Sequence, residues 1–167
     1  MPSLHHPSTR PALRIGPALQ LASLGLFSTL CLAVPLHAAS SEIIPSPEIL
    51  AQLELRASQA SPREQCFLYT ELVHTMTQKA GKEIADGDTD QAAATLKQVN
   101  QYAHLIHLNL VHNAKRLKDA EELMHNTTYR LAQVLHLVSG DDKKTVQETL
   151  KQLNQVNDEL LSQVFDH

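Results

Sequence analysis

The chain has 167 residues, and its 18 Asp and Glu outnumber its 14 Lys and Arg to give a formal net charge of −4. An acidic balance without a basic patch argues against nucleic acid or an anionic membrane surface as a partner. With no Trp, three Tyr and three Phe, we also expect no aromatic platform for stacking bases or sugars.

The N-terminus has the three-part order of a Sec signal peptide. Arg10 and Arg14 precede an apolar run at about residues 15–34, and the small residues Ala38 and Ala39 follow. A basic, an apolar and a small-residue segment in that order are typical of a cleaved export signal. We therefore expect cleavage after Ala38 or Ala39 and a secreted or periplasmic protein. An uncleaved anchor is the alternative, but polar residues dilute the run, and no other segment is apolar enough to span a membrane.

One cysteine remains once the leader is removed. Cys31 lies inside the predicted signal peptide, so Cys66 has no partner for an internal disulfide. Cys66 falls on the apolar stripe of a predicted helix, which favours a small buried residue. An intermolecular disulfide is the alternative.

Hydrophobic periodicity predicts an all-α fold for the mature chain. Residues 1–39 are the predicted leader, and residues 40–61 form an N-terminal segment with a short helix that starts at Ser46-Pro47. Residues 62–167 form a helical domain, in which Ser61 and Glu64 predict a capping box at the start. Its helices are predicted at about 62–86, 89–138 and 142–165.

An apolar seam runs through residues 88–139, where neither Gly nor Pro occurs. Alternating steps of three and four residues give Leu96, Val99, Ala103, Ile106, Leu110, Asn113, Leu117, Ala120, Met124, Thr127, Leu131, Val134 and Val138. Only Asn113 and Thr127 break the apolar rule. Such a seam lays one helix face against partner helices, so we expect one continuous helix over 89–138, roughly 75 Å long, that ends at Gly140.

Short turns at 87–88 and 139–141 predict antiparallel neighbours. The predicted architecture is antiparallel helical hairpins built on one long central helix, with coiled-coil-like packing. The alternative is a compact four-helix bundle, in which the central helix breaks near Asn113. Two helices cannot cover the apolar shoulders of such a helix, exemplified by Leu105 and Leu123. We therefore expect a homo-oligomer, with a homodimer giving four-helix cross-sections, or another protein as partner.

Two Glu-x-x-His frames are candidate metal ligands: Glu71 with His74, and Glu122 with His125. In di-iron bundles, two such frames join one Glu from each of two other helices. At 100° per residue both frames lie far from the apolar stripes, so we expect them to face solvent. On a continuous central helix they would also lie too far apart to share an ion.

His104 and His107 form a second candidate pair, one helical turn apart. They hold a transition metal only if a neighbouring helix supplies a further ligand. The favoured interpretation is a pair of partly exposed histidines beside the seam. The alternative function, a periplasmic metal-binding four-helix protein with His and Glu ligands, depends on these candidates.

Motifs for catalysis and cofactors are absent from the sequence. It has no His-Glu-x-x-His, no Cys-x-x-Cys, no Gly-x-Ser-x-Gly and no phosphate loop. The turn at Gly87-Asp88 resembles turns of helical-repeat proteins, but we find no repeated period. The charged run 115–122 is interpreted as a solvated helix face. We therefore expect no enzyme and no cofactor, but an exported, soluble, helical structural or protein-binding module that self-associates.

Overall fold

A computed structural model describes residues 46–110 and 114–165. All regular secondary structure within these residues is helical, which confirms the all-α prediction. The helices described are α1 (Pro47–Gln59), α2 (Pro62–Asp86), α3 (Thr89–Asn109), α4 (Leu117–Leu135) and α5 (Gly140–Phe165). The predicted leader, its cleavage site and Asn113 lie outside the described residues. None of the described helices is both long and apolar enough to cross a membrane.

The prediction of one continuous helix over 89–138 is wrong. That stretch contains two helices, because α3 ends at Asn109 and α4 begins only at Leu117. The helix also stops earlier than predicted, at Leu135, and Gly140, at a positive φ of 61°, begins α5 instead of closing the helix before it. The chain therefore adopts the alternative architecture, a compact four-helix bundle of α2 to α5.

The two hairpins of the bundle, α2–α3 and α4–α5, are stacked on each other with corresponding helices parallel. α2 packs against both α3 and α4, and α5 packs against both α4 and α3. His74 of α2 contacts Thr127 of α4. Further along both helices, a Cβ placed on Gly81 of α2 would lie 3.5 Å from Cγ2 of Val134 of α4. Since both numbers rise together, α2 and α4 run in the same direction.

The same parallel relation holds for α3 and α5. The Asn100 side chain donates to the hydroxyl of Thr149 over 3.1 Å. Gln152 donates to the backbone carbonyl of Asn100 over 2.9 Å. Further down both helices, Nδ1 of His107 lies 2.7 Å from the Glu159 carboxylate. Polar contacts thus join the two hairpins along the α3–α5 side.

The predicted apolar seam lies inside this single-chain bundle. Its fully buried members include Leu96, Val99, Ala103, Ile106, Ala120, Met124 and Leu131. The shoulder residue Leu105 also packs against the core. Breaking the helix leaves backbone groups unpaired at two new helix ends. Folding one half onto the other buries apolar surface in return, worth roughly 25 cal/mol per Å². One chain therefore forms the four-helix cross-section that we had expected of a dimer.

The chain reversal between α3 and α4 is held in place by contacts with the start of α2. Arg116 has left-handed backbone angles, with a φ of 59°, and its guanidinium lies 3.5 Å from the centroid of the Phe67 ring. The backbone N–H of Lys115 donates to the carbonyl of Arg63 over 2.6 Å, and its ammonium lies 3.1 Å from the Glu64 carboxylate. This charged run, which we interpreted as a solvated face, therefore holds the turn in place.

α1 packs across the outer side of the first hairpin. Ala57 is fully buried there, and Leu53 packs against the core. The Tyr102 hydroxyl of α3 donates to the Glu54 carboxylate over 2.5 Å. Burial, and then this hydrogen bond, raises the pKa of Tyr102. At its start α1 is capped as predicted, because the Ser46 hydroxyl accepts from the backbone N–H of a residue in the first turn.

Cys66 is part of the core. Its side chain is fully buried, and burial raises the pKa of its thiol to about 12. The reactive species is the thiolate, so a buried thiol with so high a pKa is a poor partner for disulfide exchange. The structure therefore favours the small buried residue over an intermolecular disulfide.

We expect Cys66 to resist thiol reagents in the folded protein. An aromatic disulfide reagent at pH 8 should react rapidly and completely in denaturant. In buffer the rate should be lower by a factor of about 100 or more, because the reagent reaches Cys66 only during the small fraction of time that the core is open. The release of the coloured thiolate measures both rates. Equal rates in buffer and in denaturant would show that Cys66 is accessible.

The parallel register of α2 and α4 predicts a specific cross-link. With Cys66→Ala as background, Gly81→Cys and Val134→Cys should form an intramolecular disulfide on mild oxidation. A Cβ at position 81 would lie 3.5 Å from Cγ2 of Val134, and the sulfur of a cysteine at 134 would occupy a γ position. A continuous central helix would hold these positions roughly 60 Å apart. Non-reducing electrophoresis and peptide mass spectrometry measure the product, and each single variant serves as a control. Only intermolecular product would contradict the bundle.

Candidate functional site

The candidate site is a groove of about 430 Å³ between α2 and α4, in the halves of these helices nearest the 87–88 turn. Its lining residues are His74, Thr77, Gln78, Gly81, Lys82, Ala85, Asp86, Thr127, Arg130, Leu131, Gln133 and Val134. The floor is apolar, with Leu131 buried and Val134 half-buried. Exposed polar side chains, Lys82 and Arg130 among them, form the rim. An apolar floor with a few polar groups around it is the usual form of a binding site.

Gly81 widens this groove. It lies in the interior of α2, where glycine costs roughly 0.5–1 kcal/mol relative to alanine. A Cβ at this position would be in ordinary contact with Val134, so a methyl group fits, whereas a longer side chain would extend into the groove. The sequence analysis gave Gly81 no role, because an isolated helical glycine has no signature of its own.

A chain of hydrogen bonds at one end of the groove orients the imidazole ring of His74. The Thr127 hydroxyl donates to the carbonyl of Leu123 over 2.7 Å, so its oxygen accepts from Nδ1 of His74 over 2.8 Å. Nε2 of His74 lies 2.9 Å from the side-chain amide nitrogen of Gln78. The contact with Thr127 places a proton on Nδ1 of His74. Both ring nitrogens are thus engaged by protein groups.

A second groove of about 390 Å³ lies on the other side of His74, between α1, α2 and α4. Arg56 and Ile49 line it from α1, and Leu123 lines it from α4. The Glu71 carboxylate lies there, 3.5 Å from the guanidinium of Arg56. We predicted that Glu71 and His74 face solvent, but α1 and α4 partly cover them.

The two Glu-x-x-His frames are not brought together, although the compact bundle makes their helices neighbours. His74 forms a hydrogen bond with Thr127, whereas Glu122 and His125 are exposed on α4. Glu71 pairs with α1 instead. Within the described part of the chain, no three or more His, Cys, Asp and Glu side chains are grouped to hold a metal ion.

His104 and His107 lie at a third groove, of about 400 Å³, between α3 and α5. Their rings are stacked with centroids 6.2 Å apart. The neighbouring helix does supply an acidic residue, since Glu159 lies 2.7 Å from Nδ1 of His107. Among the described residues, however, no third His, Cys, Asp or Glu side chain completes a group that could hold a metal ion here. The pair instead adds a polar contact between the hairpins.

Comparison with models of protein families, with curated proteins and with solved structures finds no match to this chain. The shape and chemistry of the α2–α4 groove are therefore what indicate its role. Its walls come from two parallel helices, and it is open to solvent along its length.

The contact between His74 and Thr127 should couple their contributions to stability. In a double-mutant cycle with His74→Ala and Thr127→Val, we expect a coupling free energy of about 0.5–1.5 kcal/mol, the usual range for a partly buried hydrogen bond. Urea unfolding of the four proteins measures it. The matched control replaces His74→Ala with His125→Ala, which removes an exposed histidine of α4 and should give a coupling near zero. Equal values in the two cycles would contradict the assigned contact.

Proposed function

We propose that this protein is an exported protein-binding module, whose α2–α4 groove receives the apolar side chains of an amphipathic partner helix. The groove itself carries the proposal, because it lies open between α2 and α4 with the half-buried Val134 at its floor, beside the buried Leu131. A helix laid into such a groove is a recurrent mode of protein recognition. Export follows from the predicted signal peptide. We assign no catalytic residue and no cofactor.

The chain itself shows how a helix is accommodated on α2. α1 is a 13-residue helix that lies on the half of α2 away from the groove. Its apolar residues Leu50, Leu53 and Ala57, spaced by three and four, face the bundle. The α2–α4 groove offers the other half of α2 to an external helix with the same spacing.

The rim of the groove carries charges of both signs. Lys82 and Arg130 place two positive charges at the groove, against the negative charge of Asp86, which pairs with Lys82. Complementary charges at the edge of an interface improve specificity and the association rate more than affinity. A helix with an apolar stripe flanked by charged residues therefore fits both the floor and the rim.

Site-specific photocross-linking tests this proposal. A benzophenone amino acid replaces Ala85, an exposed alanine of the groove, in cells that export the protein; Ala94, an exposed alanine of α3, is the control position. We expect discrete protein adducts from position 85 alone, because only that position lies at the groove. Mass spectrometry should place the cross-link on an apolar residue of a helical partner segment.

A groove-blocking variant completes the test. Ala85→Arg should reduce the yield of the same adduct about tenfold when the cross-linker is moved to Gln133, while Ala94→Arg should leave it unchanged. Identical adduct patterns from positions 85 and 94 would contradict the proposal. Adducts with lipid or another small molecule would exclude a protein as the occupant of the groove.

A further inference from the structure

The chain reversal between α3 and α4 lacks the glycine that serves the other turns of the bundle. Gly87, before α3, and Gly140, at the start of α5, have positive φ angles of 85° and 61°. Residues 110–116, which we call the hinge, contain neither Gly nor Pro. The left-handed residue in the hinge is Arg116, with a φ of 59°. This conformation crowds the Cβ of an L-residue against backbone oxygen, so the single chain makes this turn with an unfavourable residue.

The apolar stripes of α3 and α4 are in phase across the hinge. Ile106 of α3 and Met124 of α4 are both fully buried, and in one helix they would be separated by about five complete turns. Leu110 and Leu117, on either side of the break, would be separated by about two turns. All four would therefore point to one side of a single helix. A loop that only connects two separate helices does not require this phase.

α3 and α4 lie at opposite corners of the bundle. α2 and α5 each pack against both of them. Since α2 runs parallel to α4 and antiparallel to α3, α3 and α4 run in opposite directions. Two copies in which α3 continued straight into α4 could therefore be related by a twofold axis across the hinges. In each half of such a dimer, the α2–α3 hairpin of one copy would pack against the α4–α5 hairpin of the other.

The contacts between the hairpins form equally well within one chain or between two. On one side of the bundle, His74 of α2 forms its hydrogen bond with Thr127 of α4. On the other side, Asn100 of α3 donates to Thr149 of α5. An exchanged dimer would bring the same surfaces together in the same orientation, and would bury the same core. The surface that receives a second copy is thus one that the single chain already shows.

The two arrangements differ at the hinge. In the single chain, Arg116 lies over the Phe67 ring, and the backbone N–H of Lys115 donates to the carbonyl of Arg63. A dimer would give up these contacts. In return its hinge would gain the backbone hydrogen bonds of a helix, and Arg116 would leave the left-handed conformation. Because association also costs translational and rotational freedom, low protein concentration favours the single chain and high concentration favours the dimer.

We infer that two copies of this protein exchange their α4–α5 hairpins, with α3 and α4 joined into one helix in each copy of the dimer. The partner is a second copy, because the face of the α2–α3 hairpin that must be covered is covered in the single chain by this same sequence. Exchange of an identical element is a low-cost route to a dimer, and short connections under strain favour it. Each half of the dimer keeps an α2–α4 groove, so the inference is independent of what the groove binds.

Disulfide mapping of separated monomer and dimer tests the exchange. The protein with Cys66→Ala, Gly81→Cys and Val134→Cys is refolded at high concentration under reducing conditions, separated by size and then oxidised. In the monomer fraction the disulfide should stay within one chain. In the dimer fraction it should join two chains, because α2 of one copy then lies against α4 of the other. Peptide mass spectrometry should place the bond between positions 81 and 134, and each single variant is the control.

Substitutions of Arg116 test the part played by the hinge. Arg116→Ala and Arg116→Gly both remove the guanidinium from the Phe67 ring, so each is the matched control of the other. Glycine adopts the left-handed conformation readily and disfavours a helix, whereas alanine does the reverse. We therefore expect the Arg116→Ala dimer to be tighter than the Arg116→Gly dimer by about tenfold or more. Sedimentation equilibrium of the refolded proteins measures this ratio, and circular dichroism checks that both are folded.

The inference fails if the wild type and Arg116→Ala both stay monomeric after refolding at high concentration. It also fails if the disulfides of the dimer fraction lie within single chains, since the two copies would then associate without exchange. Equal dimer affinities of the two Arg116 variants would show that the hinge does not become helical, and would overturn it as well. None of these results changes the adducts expected from position 85, so they are distinguishable from failure of the proposed groove function.

Discussion

The reversal of the chain between Asn109 and Leu117 sets the position of both later helices of the bundle. It brings the second hairpin back alongside the first, so that α4 lies next to α2 and α5 next to α3. The turn is held from outside itself, by Arg116 over the Phe67 ring and by Lys115 on the backbone of Arg63. Burial of the seam and formation of the α2–α4 groove both follow from this one turn.

Local signals in the sequence were sufficient for the helices but not for the reversal. Ser46 and Gly87 mark helix ends that the structure also has, because capping chemistry acts within one turn of chain. The break after Asn109 carries no glycine or proline, and the left-handed residue there is Arg116. Its stabilising partner, Phe67, is about fifty residues away. Periodicity reports which face of a helix is apolar, and both a continuous helix and a broken one bury that face.

The site was harder to predict because each helix of a bundle has two neighbours. A helical wheel placed His74 away from the apolar stripe of α2. If α2 packed against a single helix, His74 would then be exposed to solvent. In the bundle that side of α2 meets α4, so His74 bonds to Thr127. Gly81 contributes by lacking a side chain, which no pattern of residue types reveals.

A complete core within one chain determines what kind of association this protein can make. The buried seam residues need no second subunit, because the four helices of one chain already bury them. A partner helix therefore binds to a protein that is already folded, and it adds to the stability of that protein only by mass action. The α2–α4 groove, where we propose that such a partner binds, exists before the partner arrives.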